Sequence, residues 1–517
     1  MNKLQFAFTI VLLFSSVCAS SKTIVVDDKI STKTINNKLA ALQSGDTLLF
    51  KKGYYRVNLK LTNKSGIQDT PIVIRGEDRA YTTIDGGATK PGSNLKNYGV
   101  FIENSSWITI DNLSFKNCWV DVVRVHESNY ISVVNCTIEG GRRALFAQGR
   151  RSHHFLVENC YWEQGKHVWT KEGKFSWAEL HHGEFKHYNG SIFQAKMIGG
   201  SFVIRDNYIK NVYNGIRLSI MGDAESDTLA CTNGEIYRNT IENSADNAFE
   251  PEVYCKNLHF YHNKMINSHA FISITEVGGG PIYFYGNTGV KLPNCNDGWT
   301  IFKFIGKERR LTKPLYIFNN SWQVNSDVLG RINEQHWHND YIHHFNNAYH
   351  LSNADTVGIY YLGKNNYFEN DCANIPFSNK VARTSKYSSI VADPMFIDGA
   401  YGNFLLKESS PCKNAGIIPD DISIYYTGEK LDIGAYDDGK LVEGPVFRYV
   451  NPGIEMPDRE KPRIVKHKVE NNTLKLWFSY PLNEQTVNTG NFMLNDISFQ
   501  HFSLQEENYL LVLTANK

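Results

Sequence analysis

A repeated pattern built around asparagine constrains the fold of this chain more than any other feature. From about Gly99, short alternating apolar segments recur, each followed by an Asn and a further apolar pair, as in ITIDNLSF, ISVVNCTI and FVIRDNYI. The steps between successive key asparagines are 23, 24, 48, 32, 24, 24 and 32 residues, where 48 is twice 24 and 32 is 24 plus eight. A fixed period in this range indicates a solenoid. The key asparagines are Asn112, Asn135, Asn159, Asn207, Asn239, Asn263, Asn287 and Asn319.

The alternation of apolar and polar residues within each repeat predicts β-strands, several to each turn of the coil. Asn suits the bends because it tolerates a left-handed backbone, and its amide can bond to identical neighbours above and below. The first rung of a solenoid exposes an edge and an apolar interior. We therefore expect a cap there, and residues 34–42 have the apolar spacing of a helix.

Five segments follow from the shifts in composition and periodicity. Lys3 precedes an apolar run, Phe6–Val17, that is too short to span a bilayer comfortably, as in a signal peptide. Small or neutral residues place cleavage after Ala19, with acylation of Cys18 as the alternative. We expect a secreted, periplasmic or cell-surface protein. The predicted segments are a signal peptide (1–19), an N-terminal cap with the first coils (20–98), a parallel β-helix with insertions (99–440), a linker (441–460) and an Ig-like β-sandwich (461–517).

The last segment is predicted from short strands that follow a linker punctuated by proline. About 55 residues is well below the ~100 that an immunoglobulin-like domain needs. We therefore expect this β-sandwich to be incomplete.

Composition narrows the classes of partner. The 517 residues carry a formal net charge of +1, which argues against general binding to nucleic acid or to a membrane surface. Hydrophobic residues make up 42%, enough for a large core, and we expect a monomer. No cysteine pair has the spacing of a zinc site. Cys136 and Cys160 occupy matching places in the repeat, and we expect a stacked interior pair of thiols, with a disulfide as the alternative.

The stretch from Ile192 to Glu252 carries polar residues at alternate positions of three segments. Alternation turns their apolar neighbours inward and these side chains outward. Successive rungs lie ~4.8 Å apart, so the outward residues should form one mixed-charge patch. The outward residues are Gln194, Lys196, Arg217, Ser219, Glu250 and Glu252, and the inward ones are Phe193, Ala195, Ile216, Leu218, Phe249 and Pro251.

An extra coil or a long loop lies between Asn159 and Asn207 and is rich in His, Trp and Lys. Insertions in a solenoid are loops on one side, often the binding side. A solvated His cluster and a Trp that only packs the loop are the alternatives. The candidate substrate contacts in this insertion are Trp177, His182, His187 and Tyr188, and His181 is a further candidate acid or base.

Both ends of the solenoid resemble a known superfamily. The segments LQSGDTLLFKKGYYRVNLKL and TPIVIRGEDRAYTTIDGG are similar to the first coils, and NFLLKESSPCKNAG and LDIGAYD to the last coils, of secreted polysaccharide-active β-helix proteins of the pectate-lyase-like superfamily. The resemblance covers residues 21–437 and implies a right-handed parallel β-helix with a carbohydrate-active function. That superfamily includes lyases, inverting hydrolases, epimerases and phage-type binding proteins. The tail resembles bacterial Ig-like modules.

The cap is also similar to that of the lyase family of chondroitinase B and alginate lyases. Members of that family use a Lys base, a neighbouring Arg and a calcium ion held by carboxylates. Neither that family's Lys motif nor the Asp-Asp and Arg-x-Lys signatures of polygalacturonases is found in this sequence. No site residue is therefore transferred from either family.

The outward patch suits β-elimination from an anionic, uronate-containing polysaccharide. Arg217, or a calcium ion held by Glu250 and Glu252, would neutralise the substrate carboxylate and stabilise the enolate-like intermediate. Lys196 would remove the C5 proton, with a pKa lowered by burial and by the nearby Arg. Gln194 would contact the sugar. A polysaccharide lyase is therefore our first expectation.

Three alternatives use the same residues. An inverting glycoside hydrolase would use Asp246, Glu250 and Glu252 as paired carboxylates, roughly 6.5–9.5 Å apart. A non-catalytic glycan-binding or adhesion protein would use the patch only to bind. A salt-bridged face turned to solvent would have no ligand at all.

Overall fold

The computed structural model describes most of residues 21–445 and 464–515. The gaps in these two ranges are residues 89, 93–97, 170–176, 219–230, 252–253, 275–276, 296–299, 306–310, 333–339, 359–365, 379–387, 471–472, 479–481, 483–486, 488–492, 495–496 and 506–509. The predicted signal peptide and most of the predicted linker lie outside the described residues. Within the described part, no helix is both long and apolar enough to cross a membrane.

Three parallel sheets wind along one axis, and successive strands of each sheet come from successive coils. In the described residues the first sheet has 14 strands, the second 13 and the third ten. Each coil passes from the first sheet to the second, then to the third, and returns to the first. This is the parallel β-helix that the repeat predicts.

The bounds of the strands follow the coils. The first sheet contains Thr23–Val26, Thr47–Phe50, Ile72–Gly76, Ser106–Asp111, Asn129–Val134, His153–Glu158, Gly200–Arg205, Cys231–Tyr237, Tyr254–Tyr261, Gly278–Gly279, Ile282–Tyr285, Leu315–Phe318, Ile342–Phe345 and Tyr367–Glu369. The second contains Gly53–Arg56, Thr82–Asp85, Ser114–Lys116, Thr137–Glu139, Tyr161–Glu163, Tyr208–Val212, Thr240–Ser244, Lys264–Ile266, Thr288–Val290, Ser321–Val324, Ala348–Leu351, Cys372–Ala373 and Ile390–Val391. The third contains Leu59–Thr62, Tyr98–Glu103, Asp121–His126, Leu145–Gln148, Phe193–Lys196, Ile216–Arg217, Asn247–Glu250, Ala270–Ser273, Thr300–Ile305 and Asp327–Ile332.

An α-helix caps the first coil, as the sequence predicts. It spans Thr32–Ala41, and the Ser31 side chain accepts a hydrogen bond from the Thr34 amide at 3.2 Å, which fixes its N-terminus. Ile35 and Leu39 are buried against the apolar interior of the coil. The cap therefore shields the end of the core from water.

The asparagines form two ladders rather than the single ladder that the sequence analysis assumed. Asn112, Asn135, Asn159 and Asn319 lie in the left-handed conformation. The residues numbered 207, 239, 263 and 287 stand one place later, are buried, and donate from one amide to the next at 2.9 to 3.0 Å. The prediction merged two neighbouring positions because both favour Asn, one for its backbone and the other for its amide.

The second ladder continues past the last predicted member. Asn287 donates to Asn320 at 3.0 Å, Asn320 to Asn347 at 2.9 Å, and Asn347 to Asp371 at 3.1 Å. The coils therefore persist to at least Ile390–Val391 in the second sheet. The weaker period beyond Asn347 reflects shorter strands and not the end of the β-helix.

The eight cysteines of the described residues are buried and carry free thiols. Cys136 and Cys160 lie inside the coil, each with a thiol that contacts a backbone carbonyl. These contacts agree with the expected interior pair of thiols.

Two hairpins and a separate sheet follow the last coil. The hairpins pair Phe396–Asp398 with Asn403–Leu406, and Tyr436–Asp437 with Lys440–Leu441. The C-terminal sheet is antiparallel and contains Ile464–Glu470, Thr473–Phe478, Met493–Leu494, Ile497–Gln505 and Leu510–Ala515. The described residues place these five strands in one sheet, so the predicted Ig-like sandwich stays a prediction.

Two short helical regions lie outside the coils. The insertion between Tyr161–Glu163 and Phe193–Lys196 contains an α-helix, Trp177–His182, between two 3₁₀ segments, Lys166–Val168 and Glu184–Tyr188. A further 3₁₀ turn spans Gly399–Tyr401. The insertion lies within one coil, between its second-sheet and third-sheet strands, so it is a long loop and not an extra coil.

Candidate functional site

The predicted patch exists as a continuous row across the third sheet. Phe146 pairs with Gln194, Gln194 with Arg217, and Arg217 with Glu250, on four successive coils. The predicted inward neighbours in these strands are fully buried in the core, so the row faces the outside of the β-helix. The alternation in the sequence therefore predicted this face correctly.

This row is covered rather than solvated. Gln194 and Glu250 are each 3% exposed, although both side chains point away from the core. The Arg217 Nε lies 3.2 Å from Glu250 Oε2, and the two side chains are 11% and 4% exposed. This ion pair is therefore shielded from water, unlike the pairs of a salt-bridged face turned to solvent.

The cover is the long insertion. Asn189, at its C-terminal end, accepts a hydrogen bond from Arg217 Nη1 at 2.9 Å and, through its carbonyl, one from Arg142 Nε at 2.7 Å. Gln164, at the start of the insertion, donates to the Tyr188 carbonyl at 2.8 Å. The Tyr213 hydroxyl donates to the Leu180 carbonyl at 3.2 Å. These contacts fix the insertion over the row and orient Arg217.

A second buried ion pair lies beside the row. Lys303 Nζ is 3.2 Å from Asp246 Oδ1, and the side chains are 3% and 4% exposed. His181 Nε2, from the insertion helix, lies 3.8 Å from Asp246 Oδ2. Burial alone would raise the pKa of Asp246, but Lys303, His181 and His269 together lower it below its usual range. Asp246 is therefore an ionised group that can orient His181.

Burial also shifts two further groups in the site. The pKa of Tyr213 is raised by burial and by the negative charges of Asp246 and Glu250, so its hydroxyl stays protonated. The pKa of Arg142 is lowered by burial and by the positive charges of Arg143 and Arg217.

The Gln194 amide carries a polar atom without a partner. Its Oε1 is buried and makes no hydrogen bond within the described part of the chain. Buried polar groups nearly always have a partner, and an orphan of this kind asks for an explanation. The role of Gln194 in substrate contact stays a prediction.

The other predicted site residues lie outside the row of Gln194, Arg217 and Glu250. Lys196 is half-buried and lies two positions beyond Gln194 on the same face, beside Gln148. The side chains of His182 and His187 are exposed. The His187 ring lies beside Gly92, where an added Cβ atom would be 3.0 Å from it. The Tyr188 hydroxyl forms a hydrogen bond of 2.7 Å with His167 Nε2. Glu252 lies outside the described residues, as do Ser219 and the side chain of Trp177.

The contact with Asp246 therefore comes from His181 and not from His182 or His187. Successive side chains on the helix Trp177–His182 are about 100° apart, so only one of His181 and His182 can face the coil. Four further residues at the site were not predicted from the sequence: Lys303, Tyr213, Arg142 and Asn189. Lys303 occupies an outward place in IFKF three coils beyond Arg217, and period-2 alternation could have found it. Asn189 lies in the insertion, outside the strand repeat, so no sequence pattern predicts its place at the site.

The predicted calcium ion would be held by the carboxylates of Glu250 and Glu252. Glu250 is one of two predicted ligands, and its Oε2 is already 3.2 Å from the Arg217 guanidinium. A neighbouring cation competes with a metal ion for the same carboxylate. Within the described residues no group of three or more His, Cys, Asp or Glu side chains could hold a metal. Glu252, the other predicted ligand, lies outside the described residues, so the calcium ion stays a prediction.

Comparison with protein families assigns the handedness of the coil. The family described as "Right handed beta helix region" matches residues 98–296. This match and the sheet topology identify the fold as a right-handed parallel β-helix. The search of curated proteins gives no match.

Solved structures with a similar fold share little sequence with this chain. A mannuronic acid specific polysaccharide family 6 lyase from human gut microbiota is 14% identical, with a TM-score of 0.43, over 64% of this chain and 81% of that chain. Pectate lyase Pel9A is 16% identical, with a TM-score of 0.36, over 81% and 96%. The GH136 lacto-N-biosidase from Eubacterium ramulus is 11% identical, with a TM-score of 0.35, over 68% of each chain.

Proposed function

We propose that this protein is a secreted enzyme that cleaves an acidic, uronate-containing polysaccharide by β-elimination on the outer face of the third sheet. The observation that carries the proposal is the buried row of Gln194, Arg217 and Glu250, which the insertion covers. A cation held in place before the substrate arrives can stabilise the charge that develops on a uronate during proton abstraction.

Arg217 is the group we assign to the substrate carboxylate. Its ion pair with Glu250 and its hydrogen bond to Asn189 fix the guanidinium plane. A planar guanidinium suits bidentate binding to a carboxylate. Neutralising that carboxylate makes the C5 proton more acidic and stabilises the enolate-like intermediate.

Two residues on either side of Arg217 complete the reaction. Lys196 removes the C5 proton, the C4–O bond breaks, and a C4–C5 double bond forms. His181, oriented by Asp246 at 3.8 Å, donates a proton to the departing oxygen. Lys196 lies beyond the row along the strand direction, whereas Asp246 comes four residues before Glu250. The substrate therefore lies across the strands, with base and acid at opposite edges.

The row continues towards the N-terminal coils as a path for a sugar chain. Register partners on successive strands are Lys60, Phe101, Arg124 and Phe146, ahead of Gln194. Lys60 Nζ lies 5.8 Å from the Phe101 ring, and the Arg124 guanidinium 5.5 Å from the Phe146 ring. Cations alternate with aromatic rings, which suits carboxylates that alternate with the apolar faces of sugar rings.

The carboxylates favour elimination over hydrolysis. An inverting hydrolase needs one carboxylic acid that stays protonated beside one carboxylate. Asp246 has a lowered pKa and pairs with Lys303, and Glu250 pairs with Arg217. Neither of these two carboxyl groups is therefore placed to be the protonated acid, whereas Glu252, the third carboxylate of the hydrolase alternative, lies outside the described residues.

The experiment that tests this function follows the products. The full chain is incubated with a panel of uronate polysaccharides, and we expect new ultraviolet absorbance from the unsaturated sugar. New reducing ends without that absorbance would mean hydrolysis. Retention of the polymer with neither product would identify a binding protein and overturn the enzyme assignment.

A further inference from the structure

Two cysteines meet in an apolar layer that the proposed elimination reaction does not use. Cys372 lies near the end of the β-helix, in the second-sheet strand Cys372–Ala373, and Cys412 follows the hairpin of Phe396–Asp398 and Asn403–Leu406. Both side chains are fully buried. They belong to one apolar cluster, which packs the segment after the last coil against the second sheet.

Alternation in the second sheet points Cys372 outward. Tyr349 and Ala373 are register partners, and both lie in the core inside the coil. Ala348 and Cys372, one residue earlier, are register partners that lie in the outer cluster. Successive side chains of a strand point to opposite faces, so the Cys372 thiol projects away from the coil and towards the segment that carries Cys412.

Hydrogen bonds hold the second cysteine opposite the first. The Cys372 thiol donates to the Ala392 carbonyl at 3.4 Å. Two residues later, the Pro394 carbonyl accepts a hydrogen bond of 2.6 Å from the Ser410 hydroxyl. The Ser410 oxygen in turn accepts one of 3.1 Å from the Cys412 amide. The segment that contacts Cys372 is therefore tied directly to the turn that carries Cys412.

The two thiols are in contact. The Cys412 thiol interacts with the Cys372 thiol, and this contact and burial raise the pKa of Cys412. The thiolate is the nucleophile in disulfide chemistry, so a buried, uncharged thiol reacts slowly. Oxidation of this pair therefore has to occur while the chain folds, before the apolar layer closes.

Other cysteines of the described residues lie side by side rather than face to face. Cys231 and Cys255 are register partners on neighbouring parallel strands. Cys136 and Cys160 occupy the same place in successive coils. Neighbouring strands are ~4.8 Å apart, whereas the Cβ atoms joined by a disulfide are about 3.5–4.5 Å apart. The pair in the apolar layer comes from two different layers, so the strand spacing does not restrain it.

From this arrangement we propose that Cys372 and Cys412 form a disulfide bond in the exported protein. The inference rests on the predicted signal peptide, because disulfides form in oxidising compartments. The two thiols lose two protons and two electrons and gain an S–S bond. The disulfide of an oxidising protein in that compartment accepts the electrons and protons and becomes two thiols. The new bond fastens the segment after the last coil to the second sheet.

Peptide mapping by mass spectrometry tests this bond. The full chain is expressed behind a bacterial periplasmic leader, purified from the periplasm, unfolded without reductant and alkylated. We expect one disulfide-linked peptide pair that contains Cys372 and Cys412, and alkylation of the other six of the eight cysteines that follow Cys18. Reduction before alkylation should remove the linked pair and label all eight.

Two variants provide matched controls. Cys412→Ser removes one partner, so Cys372 should become alkylated in the unreduced protein. Cys255→Ser removes a cysteine of a side-by-side pair and should leave the linked peptides unchanged.

Alkylation of both Cys372 and Cys412 in the unreduced wild-type protein would overturn the proposal. A linked peptide pair that joins either residue to a different cysteine would overturn it as well. Neither result bears on the elimination reaction, because the apolar layer contains no residue of the proposed site.

Discussion

Asp246 and Lys303 form a buried ion pair on the outside of a β-helix, where most charged side chains face water. Their side chains are 4% and 3% exposed, and Arg217 and Glu250 form a second covered pair nearby. Desolvation of such pairs costs as much free energy as their attraction returns, so stability alone does not explain them. Concentrations of perturbed, buried charge mark functional sites, which is why we place the chemistry here.

The Asp246–Lys303 pair should make folding sensitive to acid. The pKa of Asp246 is lowered in the folded state, so the stabilisation is complete above the unfolded value of 3.8 and is lost as the pH falls through the folded pKa. We expect the free energy of unfolding in urea to fall below about pH 4. An Asp246→Leu, Lys303→Met double variant should lose less stability over that window. Equal pH profiles for the two proteins would contradict this account.

Lys303→Met alone should be far more damaging than the double variant. It leaves the Asp246 carboxylate buried beside His181 without its nearest cation, which typically costs about 3–5 kcal/mol. The comparison is made by urea unfolding at neutral pH. If the single and double variants are equally stable, the ion pair does not contribute as described.

Lys196 is the residue we assign as the base. It is half-buried, so Lys196→Ala should leave the fold intact and lower kcat by about 10²–10⁴-fold, the usual contribution of general base catalysis. The matched control is Lys116→Ala, which removes a lysine paired with Glu139 on the second sheet. Rates come from the absorbance of the unsaturated product. Full activity in Lys196→Ala would show that the base is another residue.

At the scale of elements, the insertion decides which residues meet at the site. Its helix spans Trp177–His182, and within it His181 reaches Asp246 whereas His182 is exposed. Alternation along strands predicted the row of Gln194, Arg217 and Glu250, because a period of two sets the face. It could not predict which His of the insertion faces the row, because that depends on how a short helix docks on distant coils.

The two neighbouring histidines therefore provide a matched test. His181→Ala should lower kcat by about 10²-fold or more, since it removes the proton donor to the leaving oxygen. His182→Ala should change kcat less than about twofold, because surface substitutions away from a site have small effects. Initial rates with the same uronate polymer decide the matter. A larger loss of kcat in His182→Ala than in His181→Ala would show that His182, and not His181, faces the site.

The second asparagine ladder is the element that ties the coils together. Asn263 Oδ1 accepts hydrogen bonds from both the backbone and the side-chain nitrogen of Asn239, each at 3.0 Å. Asn263→Ala leaves both donors buried without that acceptor, and we expect it to reduce the free energy of unfolding by about 3 kcal/mol. Chemical unfolding measures this loss. Asn353→Ala, at an exposed turn, is the control and should cost under about 0.5 kcal/mol. Equal costs would show that the ladder does not stabilise the coil.

At the scale of the whole molecule, the repeat predicted the architecture and missed one register. The 24-residue period and the capping helix both correspond to the observed coils. The changes from Asn159 to Asn207 and from Asn287 to Asn319 each shifted the ladder by one residue, because either of two adjacent positions accepts Asn for a different physical reason. Spacing alone cannot separate a left-handed backbone from a buried amide.

The third sheet presents cations and aromatic rings from Lys60 to Arg217, which is the whole-molecule basis for proposing an acidic substrate.

The central claim is that an acidic sugar chain binds and reacts along the row of Arg217. The most direct measurement is a crystal structure of the Lys196→Ala variant with a bound oligouronate, because this variant should bind without cleaving. We predict a uronate carboxylate within hydrogen-bonding distance of the Arg217 guanidinium and a sugar hydroxyl at Gln194 Oε1. An oligouronate bound to another face, with the row of Arg217 still covered by the insertion, would contradict the account.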